Sequence, residues 1–148
     1  MIFSFGQSEQ ERIEIDVLSY EREPLGDFYD DNWLIVETRV WVGGFQGKVG
    51  ATFITSELVK FASELRLLFN TLKGTAEFST MEGQLLLRLT GDGKGHIEIF
   101  GEILDRAGVG NNLHFALHID QTQLEISLRE LEGVIFRFPI RGKEEAAT

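Results

Sequence analysis

The chain of 148 residues contains no cysteine. Disulfide bonds, thiolate metal sites and a cysteine nucleophile are therefore excluded, and the absence suits a reducing compartment. No apolar run approaches the roughly 20 residues that span a bilayer. Residues 1–7 also lack the basic start and the apolar stretch of a secretory signal. We therefore expect a cytoplasmic protein that does not enter a membrane.

Positive charge is scarce in this sequence. Lys and Arg number 14 against 24 Asp and Glu, which gives a formal net charge of −10 at pH 7. Such a field repels nucleic acids and anionic lipids, and it speeds the encounter with a basic protein. Acidity that serves solubility alone is the alternative interpretation. The charge predicts a basic protein partner, with no nucleic acid and no membrane surface.

Sequence motifs of common catalytic and metal sites are also lacking. No Gly-x-Ser-x-Gly elbow occurs. The segment Gly91-Asp-Gly-Lys-Gly leads into a strand and not into the helix that a phosphate loop requires, so we interpret it as a hairpin turn. His114 and His118 lie on one face of a predicted strand, with Cα atoms roughly 13 Å apart, too far to share a metal. We predict no catalytic residues, no metal and no cofactor.

What the chain does contain is a run of strand patterns followed by a helical pattern, twice over. Alternation of apolar and polar residues predicts the strands, and apolar residues at helical spacing predict helices that end near residues 72 and 136. We expect Thr55 or Ser56 to cap the first helix, Gly74 to stop it, and Asp120 to begin the second. The predicted strands are residues 1–5, 12–18, 33–42, 45–54, 75–80, 84–90, 96–104 and 113–119.

These segments predict an α+β fold, with an antiparallel β-sheet of about seven to eight strands and two amphipathic helices packed on one face. The helices align at an offset of 66, Leu58 with Leu124, whereas the strands before them align better at 65. Two similar strand-strand-helix halves and two unrelated amphipathic helices therefore remain open alternatives. We expect a single domain over residues 1–140 and a polar C-terminal tail over residues 141–148.

The segment Asp27-Phe-Tyr-Asp-Asp-Asn-Trp places three acids and three aromatic residues beside a strand. Aromatic side chains supply contact area at low entropic cost, and acids steer a basic partner. Glu37 and the two tryptophans share one face of the following strand. The alternative is that both tryptophans lie in the core. We predict partner-binding residues at Asp27, Asp30, Asp31, Trp33, Glu37 and Trp41.

Four short segments resemble the WapI-type immunity proteins, which protect bacteria against a wall-associated contact-dependent toxin. They are Asp31-Asn-Trp-Leu-Ile-Val, Thr55-Ser-Glu-Leu, Glu82-Gly-Gln-Leu-Leu-Leu-Arg-Leu, and His118-Ile-Asp-Gln-Thr-Gln-Leu with Phe138-Pro139 beyond it. The resemblance covers roughly residues 33–139. It implies a non-enzymatic cytoplasmic antidote that binds the C-terminal domain of a toxin, often a nuclease. It carries over no catalytic residues.

Two other functional hypotheses remain open at this point. The chain could be a homo-oligomeric structural or regulatory domain, for instance a homodimer that pairs an edge strand across a two-fold axis. It could also bind a small molecule in a cavity between sheet and helices.

Overall fold

Each half of the chain consists of four strands and one helix. The computed structural model describes residues 1–144. The elements of the first half are β1 (Ile2–Ser8), β2 (Glu11–Tyr20), β3 (Trp33–Val42), β4 (Phe45–Ile54) and α1 (Thr55–Thr71). In the second half they are β5 (Lys73–Ser79), β6 (Leu85–Asp92), β7 (His96–Arg106), β8 (Val109–Asp120) and α2 (Gln121–Arg137).

The strands form two four-stranded antiparallel sheets, with orders β1-β2-β3-β4 and β5-β6-β7-β8. The α+β class, the number of strands and the two helices are as the sequence predicts. The strands divide between two sheets instead of forming one, and the 17 residues of α1 lie between β4 of the first sheet and β5 of the second. We call them sheet 1 and sheet 2. Residues 145–148 of the predicted tail lie outside the described residues.

Alternation along the strands creates a shared core between the two sheets and the helices. In β3, Leu34, Val36 and Val40 point inward and are at most 2% exposed. Aromatic rings join the layers, because Phe78 of β5 lies 5.2 Å from Phe53 of β4 and 5.0 Å from Phe61 of α1 between ring centroids. Both tryptophans lie on the opposite, outer face of β3 and are only half-buried.

The two helices begin in different ways. Asp120 caps α2 as predicted, accepting a hydrogen bond of 2.9 Å from the Gln123 amide. The predicted cap of α1 at Thr55 or Ser56 is wrong, since the capping position is Ile54. Its amide donates to Glu57 Oε1 over 2.7 Å, so a carboxylate in the first turn of the helix binds the amide of the capping residue. Burial raises the pKa of Glu57, although the Ile54 and Met81 amides both donate to it.

The end of α1 also differs from expectation. Leu72, not Gly74, terminates the helix in the left-handed conformation, with φ of 59°. The Leu72 carbonyl oxygen then accepts a hydrogen bond of 2.8 Å from the Gly93 amide. A Cβ atom on Gly91 would lie 2.3 Å from that same oxygen. The glycine-rich turn at residues 91–95 therefore forms a hairpin, as predicted, and also lets the end of α1 approach it.

The two halves correspond residue by residue at an offset of 66 in both the last strand and the helix. The expected strand offset of 65 paired Ala51 with Ala116, but Ala51 points inward and Ala116 is exposed. Ala51 corresponds to Leu117, which is 1% exposed and also points inward. Because a shift of one residue exchanges the faces of a strand, burial decides the alignment. The one-residue difference between the strand and helix offsets therefore disappears, and the two halves are similar in this region.

Contacts between the halves are reciprocal. Helix α1 packs on β5 and α2 packs on β1, so each helix contacts the first strand of the other half. β4 contacts β7, and β8 contacts β3. The helices contact each other, and Arg66 of α1 forms an ion pair with Glu132 of α2. These two residues are themselves 66 apart, so the ion pair joins equivalent positions of the two halves.

Thr38 is the polar exception in the core of sheet 1. Its side chain is 2% exposed, and its hydroxyl finds no hydrogen-bond partner among the described residues. Strand pairing places it against Val49. The corresponding pair in sheet 2 is Gly101 and Phe115, whose ring would lie 2.2 Å from a Cβ atom at Gly101. At this position of the core, sheet 1 therefore has two side chains of similar size, whereas sheet 2 has one large ring opposite a glycine.

We predict that Thr38→Val raises the free energy of unfolding by about 1 kcal/mol, because it removes an unpaired buried hydroxyl while keeping the side-chain shape. Urea denaturation measures the change. Thr55→Val is the matched control, since the Thr55 hydroxyl donates to Asn32 over 2.9 Å. It should lower the stability by about 1 kcal/mol. Loss of stability in both variants would contradict the assignment of Thr38 as unpaired.

Candidate partner-binding surface

The outer face of sheet 1 carries a row of large side chains along β3. Trp33, Ile35, Glu37, Arg39 and Trp41 alternate with the buried residues and are half-buried or exposed. The tryptophans stand eight residues apart, so their Cα atoms are separated by roughly 27 Å. The predicted binding residues of β3 therefore share a face, but they do not form one compact site.

Glu37, at the centre of this row, has its charge compensated within the sheet. Its Oε1 atom lies 2.6 Å from Arg39 Nη2, and its Oε2 atom lies 3.5 Å from Lys48 Nζ. Arg39 stands two residues away on the same strand, and Lys48 pairs across from it on β4. The middle of the face is therefore not an acidic patch.

Asp31 serves the interior of the protein and not its surface. The residue is 5% exposed, and its carboxylate accepts amide hydrogen bonds of 2.9 Å from both Leu25 and Gly26. Arg22 Nη2 lies 3.2 Å from the same carboxylate. These amide bonds, together with Arg22, hold the pKa of Asp31 below its usual range. The Asp31 carboxylate is therefore occupied within the protein.

Asn32 fixes the same loop to the rest of the fold. The residue is 1% exposed. Its amide nitrogen donates to the carbonyl oxygens of Phe28 and Arg141, at 2.6 and 2.9 Å. Its oxygen accepts from the Thr55 hydroxyl at 2.9 Å and from the Arg141 amide at 2.8 Å. The full capacity of the side chain is used, and the loop, α1 and the C-terminal segment are joined at one buried point.

Arg141 holds the loop from the outside. Its guanidinium stacks on the Tyr20 ring with 3.6 Å between Cζ and the ring centroid. It also donates to the carbonyl oxygens of Arg22 and Asp31. The first residue of the predicted tail is thus bonded to the loop. Together, Asp31, Asn32 and Arg141 present the neighbouring acids in a fixed arrangement.

A cleft of about 420 Å³ opens where this loop meets the first tryptophan, and we call it the Trp33 cleft. Three carboxylates and one guanidinium line it. The sequence prediction included Asp30 and Trp33 but missed Glu21 and Glu82. Glu82 lies 49 positions after Trp33 and reaches the cleft only through the β5–β6 turn. The lining residues are Glu21, Arg22, Asp30, Trp33, Thr52 and Glu82.

Asp27 lies in the same loop but outside this lining. It is exposed, and its carboxylate accepts hydrogen bonds of 3.1 Å from the amides of Tyr29 and Asp30. It therefore shapes the turn that precedes Trp33. At the other end of β3, Trp41 does not line the Trp33 cleft but a separate cleft of about 540 Å³. That cleft contains Arg12, which is paired with Glu14 at 2.9 Å, and Glu9.

The outer face of sheet 2 carries the histidines. His114 and His118 share this face, as predicted, and strand pairing places Glu98, Glu102 and Arg88 on it as well. Within residues 1–144 no cluster of three or more His, Cys, Asp or Glu could hold a metal ion. No helix in this part of the chain is long and apolar enough to cross a membrane.

Comparisons with known proteins show what the fold of this chain resembles and to which family the chain belongs. The structure is similar to that of the plant transcriptional regulator PBF-2, with a TM-score of 0.52 and 11% sequence identity over 93% of this chain and 81% of that chain. At this identity the likeness concerns the fold alone. The chain belongs to the WapI-like immunity protein family, whose model matches residues 3–139. The resemblance seen in the sequence is confirmed. No curated protein matches the chain.

We predict that Asp31 makes the protein sensitive to acid. Its pKa is lowered in the folded state, so its contribution to stability is present above the unfolded pKa of about 3.9 and is lost as pH falls below that value. Asp31→Asn should be less stable than the original protein at pH 7, and the difference should shrink towards pH 3. Urea denaturation across this range is the measurement.

Glu98→Gln provides the control, because Glu98 is exposed on the outer face of sheet 2. It should follow the stability of the original protein at every pH. An Asp31→Asn difference that stays constant between about pH 7 and pH 3 would show that the carboxylate does not contribute through its charge.

Proposed function

We propose that this protein is a non-enzymatic cytoplasmic immunity protein that binds and neutralises a basic toxin domain. The observation that carries the proposal is the family match over residues 3–139. The net charge of −10 supports a cationic partner. Toxin domains that act on RNA or DNA carry basic grooves for phosphates, so a nuclease is the partner that fits this charge best.

The Trp33 cleft is the part of the surface that we assign to this partner. Its three carboxylates, from Glu21, Asp30 and Glu82, line the cleft together with a half-buried indole. An indole face and nearby carboxylates together attract Arg and Lys side chains through cation–π and ionic interactions. Asp27 adds exposed negative charge beside the cleft. Glu37 and Trp41 then belong to the flank of the interface.

The internal bonds of the loop support this assignment. Binding energy is lost when a contact surface must first be ordered. Asn32 and Asp31 already satisfy their hydrogen bonds in the free protein, so the loop beside Trp33 requires little ordering. A preformed acidic surface suits rapid capture of a basic toxin domain, because complementary charge raises the association rate.

The partner can be identified from the genetic locus. An immunity gene is expected beside a large open reading frame that ends in a variable, basic domain, and that domain is the probe for the experiments below. Co-expression should restore growth to cells that express the toxic domain. Failure to co-purify with it and failure to restore growth would together overturn the proposed function.

We predict that Asp30→Lys combined with Glu82→Lys slows association with the toxin domain by about tenfold at low salt and flattens its dependence on ionic strength. Glu98→Lys with Glu125→Lys is the matched control, because it makes the same change in net charge away from the cleft. Stopped-flow measurement of the association rate distinguishes them. Equal slowing in both variants would assign the effect to net charge and not to the Trp33 cleft.

We predict that the two tryptophans contribute unequally to the affinity for the toxin domain. Trp33→Ala should raise the Kd for the toxin domain by about 30-fold, the typical cost of a central aromatic anchor of about 2 kcal/mol. Trp41→Ala, which truncates an equivalent side chain at the far end of β3, should change it less than fivefold. Isothermal titration calorimetry gives both values. A larger loss for Trp41→Ala would move the interface to the other end of the strand.

A further inference from the structure

The two edges of sheet 1 are protected unequally. In β1, the Ser4 amide donates to Glu130 Oε1 over 3.2 Å, and the Ser4 carbonyl oxygen accepts from the Ser127 hydroxyl over 2.5 Å. Two side chains of α2 therefore take the place of a neighbouring strand. Such coverage prevents a sheet from pairing with another chain.

The other edge of sheet 1, β4, is uncovered near its start. The turn Gly43-Gly44 joins Val42 directly to its partner Phe45. With a two-residue turn, odd-numbered residues of β4 bond to β3 and even-numbered residues direct their amide and carbonyl groups outward. Gly50 follows this rule, since its carbonyl oxygen accepts from Gln84 Nε2 over 3.1 Å. No hydrogen bond among residues 1–144 occupies the backbone groups of Gln46 or Lys48.

An apolar cleft of about 320 Å³ lies beside this uncovered edge, between β4 and β8. Val40, Val49, Ile103 and Leu113 contribute apolar side chains to its lining. Phe45, at the rim, is 66% exposed. The same short segment therefore offers unpaired backbone groups, an exposed aromatic ring and a cleft that could receive such a ring.

We propose that β4 pairs in antiparallel fashion with β4 of a second copy of this chain, about a two-fold axis at Gly47. In this register Gln46 lies opposite Lys48 of the partner subunit, and the two residues exchange both of their outward N–H···O bonds. Gly47 then faces its own copy in a non-hydrogen-bonded pair, where the Cα atoms approach to about 4.5 Å. The absence of a side chain at Gly47 suits this close approach.

A second copy of this chain fits the uncovered edge of β4 because the edge is self-complementary. The same register sets Phe45 opposite Val49 of the partner subunit, on the side where that subunit's cleft opens. Each copy therefore supplies one ring and receives one, as a two-fold interface requires. The proposal is independent of toxin binding, because β4 pairs along its edge while the Trp33 cleft lies at the other end of the strand.

The charge of Lys48 does not oppose this pairing. Lysine on an edge strand commonly discourages association, but Lys48 Nζ lies 3.5 Å from Glu37 Oε2 of its own sheet. In the proposed register Lys48 faces a glutamine and not a second lysine. Pairing at Gln46 and Lys48 alone makes a small interface, so we expect a Kd on the order of 100 µM.

Lys48→Pro against Lys48→Ala tests the proposal. Proline removes an outward amide that the monomer does not use, whereas alanine removes the charge and keeps the amide. Sedimentation velocity should show dimers of the original protein and of Lys48→Ala that grow with concentration. Lys48→Pro should remain monomeric, and Phe45→Ala should weaken dimerisation about tenfold. An original protein that is monomeric at about 1 mM, or a Lys48→Pro variant that dimerises equally well, overturns the proposal.

Hydrogen exchange decides the matter if Lys48→Pro fails to fold. The Gln46 and Lys48 amides of the original protein should exchange more slowly as the concentration rises, while the amide of exposed Glu23, in the loop after β2, should not change. Exchange at Gln46 and Lys48 that is independent of concentration would show that the edge stays open. None of these measurements requires the toxin domain, so their outcome is separate from that of the proposed function.

Discussion

The packing of each helix against the first strand of the other half is the constraint on which this structure depends. α1 lies on β5 and α2 lies on β1, and α2 also satisfies backbone groups of the β1 edge. Neither half could bury its own apolar strand face without the other. The Arg66–Glu132 pair marks the centre of this exchange. One continuous core follows from it, although the sheets are separate.

The outward-facing residues of the two sheets can differ in chemistry because the core is formed by the inward-facing residues. Sheet 1 presents tryptophans and compensated charges, and sheet 2 presents histidines among acids. The loop after β2 is held by buried polar side chains and not by apolar packing. Asn32 and Asp31 satisfy backbone groups that a long loop would otherwise leave unpaired. The acidic residues beside Trp33 are therefore displayed on a rigid support.

Local patterns predicted the elements of this fold well, because alternation and helical spacing depend on near neighbours in the chain. They do not reach the contacts that side chains make within loops or between the two halves. Asp31 is an acid in a polar loop, and only the amides of Leu25 and Gly26 reveal that it is internal. Glu82 meets Trp33 through the arrangement of the halves. The identity of Ala51 and Ala116 misled the alignment, because the face of the strand matters more than the residue type.

The dependence of β1 on α2 has a consequence for synthesis of the chain. β1 is synthesised well before α2, the helix that completes it. Until α2 emerges, the Ser4 backbone groups and the apolar face of β1 are uncovered. The nascent chain then has an unpaired edge strand that is prone to aggregate. Slow translation of the second half would prolong that exposure, so the yield of native protein should depend on how quickly the second half is synthesised.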